Sequence, residues 1–196
     1  MAKQGKETVG VVGLGNMGGA FARHLASAGW RVLGFDIDAT RTRAAKGAGV
    51  ETVPLQTLAA DAPVIILSLP SPQALDATVA AIGGLDLPPR IVIEASTFTL
   101  GDKERAEAAL RKAGHVTLDC PVSGTGAQAA VKDIVVYASG DAETITKVMP
   151  IFADFSRATY NVGAFGNGSR MKYIANLLVT IHNVASAEAM VLGIKS

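Results

Sequence analysis

A glycine-rich hexamer, Gly13-Leu14-Gly15-Asn16-Met17-Gly18, stands between a β-branched run at 8–12 and a helical stretch at 16–28 that stops at Gly29. A second strand pattern, 31–35, ends on Asp36. Strand, glycine turn, helix and strand make a βαβ unit. Its right-handed crossover commits the neighbouring strands to a parallel sheet covered on both faces. The alternation continues. Helical sequence at 39–46 breaks at Gly47 and Gly49, and the almost wholly apolar run 64–69 ends at Pro70. A helix is expected at 72–82, a strand at 91–93, a charged helix at 102–113 and strands at 116–118 and 134–138, followed by a helix near 142–149. The expected fold is α/β, Rossmann-like and doubly wound around a mostly parallel sheet.

The last segment breaks the rhythm. From 169 to 194 there is no proline, and apolar residues recur at helical spacing. A helix of that length spans roughly 35–40 Å at about 1.5 Å per residue, more than the first domain needs. We therefore expect a dinucleotide-binding domain at 1–168. Residues 169–196 read as the start of a long interdomain helix, leading to an all-helical C-terminal domain that is absent here.

Composition narrows the function. A net charge of +1 with 18% charged residues leaves no electrostatic footprint for nucleic acid. One cysteine, Cys120, excludes an intrachain disulfide framework, and His24, His115 and His182 show no metal-ligand spacing, so no metal is expected. The short polar start is unlike a secretory signal, and no run is read as reaching the roughly 18 apolar residues of a membrane span. A cytoplasmic protein with no membrane partner is the expectation.

The hexamer is a phosphate cradle in the context that gives the motif meaning. Gly13 permits the tight turn, Gly15 lets backbone approach a pyrophosphate, and Gly18 allows close helix–strand packing. The helix opening at Asn16 offers N–H groups and a positive dipole end. Asp36, 21 residues after Gly15, suits a ribose-binding acid that repels a 2′-phosphate, which favours NAD over NADP. Arg41 and Arg43 read as solvated helix charges rather than phosphate ligands.

Three further stretches carry candidate chemistry. After the strand at 116–118, Ser123 offers a hydroxyl, and the amides of Gly124 and Thr125 offer an anion-binding nest for a substrate carboxylate. An ordinary turn explains that segment equally well. Near the start of the last helix, Lys172 and Asn176 are i and i+4 on one face. A partly desolvated lysine there exchanges protons near neutrality, although a lone lysine is usually a surface residue. After the strand at 91–93 come Thr97, able to face a nicotinamide, and Thr99, read as a helix cap.

Together these motifs resemble the β-hydroxyacid dehydrogenases, the family of 3-hydroxyisobutyrate dehydrogenase, tartronate semialdehyde reductase and 6-phosphogluconate dehydrogenase. G-L-G-x-M-G matches residues 13–18. D-x-P-V-S-G-G matches 119–124 and departs at Thr125. G-x-G-x-x-x-K-x-x-x-N matches Gly166, Gly168, Lys172 and Asn176. S-L-P-S-P at 68–72 is similar to the loop passing over the cofactor, with Leu69 and Pro70 at its centre. The resemblance implies NAD-dependent oxidation of a small 3-hydroxy acid. Lys172 would be the general acid/base and Asn176 its substrate-orienting partner, with Ser123 and Gly124 at the carboxylate and Thr97 near the nicotinamide. It also implies a homo-oligomer in the full-length form. Glu94 stands where the family often has Asp, and Leu100 where it often has Pro. Imine reductases resemble the family in fold but generally lack the lysine. A cofactor-binding domain without turnover is the alternative of a different class.

Overall fold

The computed structural model describes residues 7–196. Its elements run β1 (Thr8–Val12), α1 (Asn16–Ser27), β2 (Arg31–Phe35), α2 (Ala39–Gly47), β3 (Glu51–Thr52), α3 (Leu55–Asp61), β4 (Val64–Leu67), α4 (Pro72–Gly83), β5 (Ile91–Glu94), α5 (Leu100–Lys112), β6 (Val116–Asp119), β7 (Val122–Ser123), α6 (Gly126–Ala130), β8 (Val135–Ala138), α7 (Ala142–Phe155), β9 (Ala158–Asn161) and α8 (Asn167–Lys195).

The first six strands form one parallel sheet in the order β3-β2-β1-β4-β5-β6. The period of two along a strand distributes its side chains between two cores. In β4, Val64 and Ile66 join the cluster of Phe21, Leu25 and Phe152, while Ile65 and Leu67 join that of Leu58, Leu75 and Leu110. Burial on both faces is why β4 reads as an unbroken apolar run. A smaller sheet, β7-β8-β9, pairs β7 antiparallel and β9 parallel to β8, and a bridge between Asp119 and Ser139 joins it to β6.

Several boundaries differ from expectation. α5 begins at Leu100 because the Thr99 hydroxyl accepts from the Asp102 amide and caps it, as expected for Thr99. α7 continues past Met149 and through Pro150 because Ile151, Phe152 and Phe155 are buried, with Phe155 stacked on Phe21 at 4.5 Å. That burial outweighs the helix hydrogen bond a proline forfeits. β3, α3, β7, α6 and β9 were not legible as elements.

α8 starts at Asn167, and only its first turn is buried, at Gly168 and Ser169. Beyond it Leu177, Leu178, Val184, Met190 and Leu192 are exposed. By length and composition α8 is apolar enough to cross a membrane, contrary to the expectation that no run would qualify. Asn176, Thr180, His182, Asn183, Ser186 and Glu188 hid this by interrupting the run.

Candidate cofactor and substrate site

The loops after β1, β2, β4, β5 and β6 lie at the carboxyl edge of the sheet. The strand order reverses between β1 and β4, which is where such sheets bind ligands. The three glycines of the first loop stand in different surroundings. Gly13 has φ +87°, and a β-carbon there would collide with the Ser68 carbonyl oxygen. A β-carbon on Gly18 would collide with the Gly13 carbonyl oxygen. Gly15 has an ordinary φ of −67°, and a β-carbon on it would meet nothing closer than Arg41 Nη1 at 3.7 Å. The protein's own packing therefore leaves Gly15 free to vary, and the bare space above it fits a ligand. α1 starts there with no side-chain cap, so its first amides remain available to an anion.

Asp36 closes the cradle from β2. One carboxylate oxygen accepts from the Leu14 amide at 2.7 Å and the other from the Asp38 amide at 2.8 Å. Arg41 Nη1 stands 3.5 Å from it, so Arg41 is a residue of the site's rim rather than a free helix charge. A cleft of about 560 Å³ runs from Gly13, Gly15 and Asp36 across Leu69 and Pro70. Ile37, 94% exposed, offers an apolar platform on its rim. A hollow of about 660 Å³ lies between α1, α2 and α6 and shares Gly15, Asn16 and Arg41. It lacks the acid and the β4 loop that line the smaller cleft.

The β4 and β5 loops are tied together, since the Ser96 hydroxyl accepts from the Leu69 amide at 2.9 Å. Thr97 is exposed beside Pro72, Phe98 and Tyr173, around a hollow of about 540 Å³. The Tyr173 hydroxyl donates to the Phe98 carbonyl, so the β5 loop meets the base of α8. Ser123 is half-buried at the end of β7, and a β-carbon on Gly124, at φ +143°, would collide with the Ile134 side chain. Thr125 departs from the nest expected of it. Its amide donates to the Gln128 side chain at 2.9 Å, and its hydroxyl accepts from the Gln128 amide, a capping box for α6. That partner removes the Thr125 amide from an anion site and leaves the hydroxyl proton to donate.

Lys172 is half-buried one turn into α8 and has no ion pair among the described residues. Burial alone lowers its pKa below the usual lysine value. Asn176 follows on the same helix, exposed. Cys120 is fully buried, and burial pushes its thiol far up, so it is an inert packing residue.

Sequence reasoning missed Lys103. It sits in the charge-dense run Asp102-Lys103-Glu104-Arg105 yet is 1% exposed, with Nζ 2.7 Å from both Glu94 and Asp119. Burial works against the ammonium, but the pull of Glu94 and Asp119 outweighs it and holds its pKa above the usual value. Burial also pushes the Glu94 carboxyl up, against the attraction of Lys103. The signal was periodicity: Lys103 shares the buried face of α5 with Ala106 and Leu110.

Fold and cradle define a dinucleotide-binding domain of the open α/β type. Residues 8–163 match the NAD-binding domain of 6-phosphogluconate dehydrogenase, and the chain belongs to that family. A probable 3-hydroxyisobutyrate dehydrogenase of Mycobacterium tuberculosis is 30% identical over 189 residues, 96% of this chain and 64% of that protein. An NAD-dependent L-serine dehydrogenase of Pseudomonas aeruginosa is 31% identical over 190 residues, 95% of this chain and 64% of that one. The solved structure of M. tuberculosis 3-hydroxyisobutyrate dehydrogenase with L-serine superposes with a TM-score of 0.92 at 29% identity, covering 97% of this chain and 66% of that one. The chain thus spans about two thirds of the length of these relatives.

Proposed function

We propose that this chain is the cofactor-binding part of an oxidoreductase that transfers hydride between NAD and a small 3-hydroxy acid, with Lys172 as general acid/base. The observation that carries the reading is Lys172 itself: half-buried, without a counter-ion among the described residues, of lowered pKa, on a helix whose base meets the β5 loop and the end of β6. The first unit is residues 1–168, and α8 from 169 on belongs to a second.

Gly13, Gly15 and Gly18 with the first amides of α1 would hold the pyrophosphate, Asp36 the ribose hydroxyls, and Leu69, Pro70 and Thr97 the far half of the dinucleotide. When bound, the nicotinamide supplies the hydride acceptor. The Lys172 amine takes the hydroxyl proton in oxidation, and its ammonium returns one in reduction. Asn176 orients the hydroxyl. Ser123, the Gly124 backbone and the Thr125 hydroxyl hold the carboxylate. Relatives named for 3-hydroxyisobutyrate and L-serine support that substrate class.

Calorimetric titration with NAD and NADP in parallel, followed by NADH absorbance against a panel of 3-hydroxy acids, tests the reading. Saturable NAD binding with turnover supports it, and binding of neither cofactor rejects it for this chain. The length difference from the relatives favours one other reading, a cofactor-binding unit that needs a second unit for turnover, seen as NAD binding without activity. Asp36→Asn retains an acceptor for the Leu14 amide but removes the charge that opposes a 2′-phosphate. It should narrow the NAD/NADP preference by roughly ten-fold, the scale of one charge-assisted hydrogen bond. An unchanged ratio in the titrations removes Asp36 from cofactor selection.

A further inference from the structure

We propose that Lys103 is a positioning residue: with Glu94 and Asp119 it forms a buried cluster that sets the cofactor-side loops and the base of the Lys172 helix at a fixed distance from each other. The inference rests on the reading of Lys172 as the proton-transfer group.

The cluster has two arms that meet at one ammonium. On one side Lys103 Nζ holds Glu94, whose Oε1 accepts from the Ser96 amide at 3.0 Å. The Ser96 hydroxyl in turn accepts from the Leu69 amide at 2.9 Å, so this arm ends in the loop over the dinucleotide cleft. On the other side Nζ holds Asp119 Oδ1 at 2.7 Å. Asp119 accepts the Ser169 amide at Oδ2, 2.8 Å, and the Ser169 hydroxyl at Oδ1, 2.9 Å. The Ser139 hydroxyl, 3.2 Å from Asp119 Oδ2, accepts from the Gly168 amide at 3.0 Å. A β-carbon on Gly168 would lie 2.5 Å from the Tyr137 carbonyl oxygen and 2.6 Å from that of Asp119, so the first turn of α8 sits directly on β6 and β8. This arm ends three residues before Lys172.

Charge explains why a lysine stands between the arms. The ammonium offsets the burial of the carboxyls on either side of it, and Asp119 is directed at the amides that open α8, where a carboxylate is favoured. Packing alone would be served as well by apolar side chains of the same volume. What apolar side chains lack is direction, and hydrogen bonds from named atoms lock both loops in register.

Lys103→Met tests this in the whole chain, with amide exchange resolved over residues 167–176, the reactivity of the Lys172 amine against pH, and NAD titration. The glycine cradle follows β1, so a folded variant should still bind NAD, but more weakly, because the arm through Ser96 and Leu69 no longer holds the loop over the cleft. Amides in the first turn of α8 should exchange roughly ten-fold faster, the scale of losing a hydrogen bond to a charged group. The amine's apparent pKa should rise toward the usual lysine value as the helix base loosens into water. A folded variant with unchanged exchange and an unchanged amine profile overturns the proposal. If Lys103→Met does not fold, Ser169→Ala removes one hydroxyl and leaves every charge in place. Faster first-turn exchange there supports the tether, and an unchanged rate overturns it. Failure of the dehydrogenase reading would appear separately, as wild-type chain that does not bind NAD, and leaves the exchange comparison decisive.

Discussion

Lys172→Ala should lower kcat for oxidation of a 3-hydroxy acid by about 10²–10⁴-fold, the usual contribution of a positioned general base. NAD affinity should stay nearly unchanged, because no residue of the glycine cradle or of the Asp36 cleft lies on α8. The pH profile sharpens the test. Oxidation needs the neutral amine, so kcat should rise with pH and level off above the Lys172 pKa. Burial lowers that pKa, so the inflection should fall below the usual lysine value. In the reducing direction the ammonium is the active form, and the rate should fall over the same interval. Lys172→Ala should abolish both inflections. Near-normal turnover of the variant, measured as NADH absorbance, would remove Lys172 from the mechanism.

Alanine at the three glycines of the first loop should separate folding from binding. Gly18→Ala forces a β-carbon into the Gly13 carbonyl, and Gly13→Ala adds a left-handed φ to its collision with Ser68. Overpacking costs about 1–3 kcal/mol and the left-handed conformation about 1–2 kcal/mol more. For a chain of this size, a loss of about 3 kcal/mol lowers Tm by roughly 6–12 °C. Gly15→Ala meets open space at a permitted φ. Its Tm should move by no more than about 2 °C, because it triggers none of the usual large destabilising mechanisms. Its β-carbon occupies the approach to the pyrophosphate, so NAD binding should weaken by roughly 100-fold or more, the cost of losing a pair of charge-assisted bonds. Calorimetry and thermal melts on the three variants check both halves. A Gly15→Ala chain that binds NAD normally would place the phosphates elsewhere.

What was legible in the chain follows from how each feature is encoded. β1, β2, β4, β5 and β6 carry apolar or β-branched runs bounded by turn residues, and their order announced the parallel sheet, whereas β8 carries a similar run but pairs in the smaller sheet. β3 and β7 are two residues each, too short for any period to show. β9 is half-exposed and polar at Tyr160 and Asn161, so no apolar run marks it. The glycine turn and Asp36 were readable because their arrangement depends on spacing along the chain. Lys103 was not, because its partners lie 9 residues before and 16 after it, on β5 and β6. A buried ammonium between two carboxylates is a fact of three dimensions. Locally it looks like one more charge on a solvated helix. Thr125 fails for the opposite reason. Its motif position suggested an anion nest, while the Gln128 three residues on spelled a capping box.

The geometry of α8 has a mechanical consequence. Its 29 residues form a rod about 43 Å long. It is seated only at its foot, on β6 and β8, with Gly166 at φ +89° just before it. Such a rod is a lever with a short arm in the site and a long arm outside. A tilt of about 5° at the foot sweeps the far end through roughly 4 Å at this length. Over the same tilt Lys172, one turn from the fulcrum, moves by well under 1 Å. Whatever the far end engages can therefore swing widely while Lys172 stays in place.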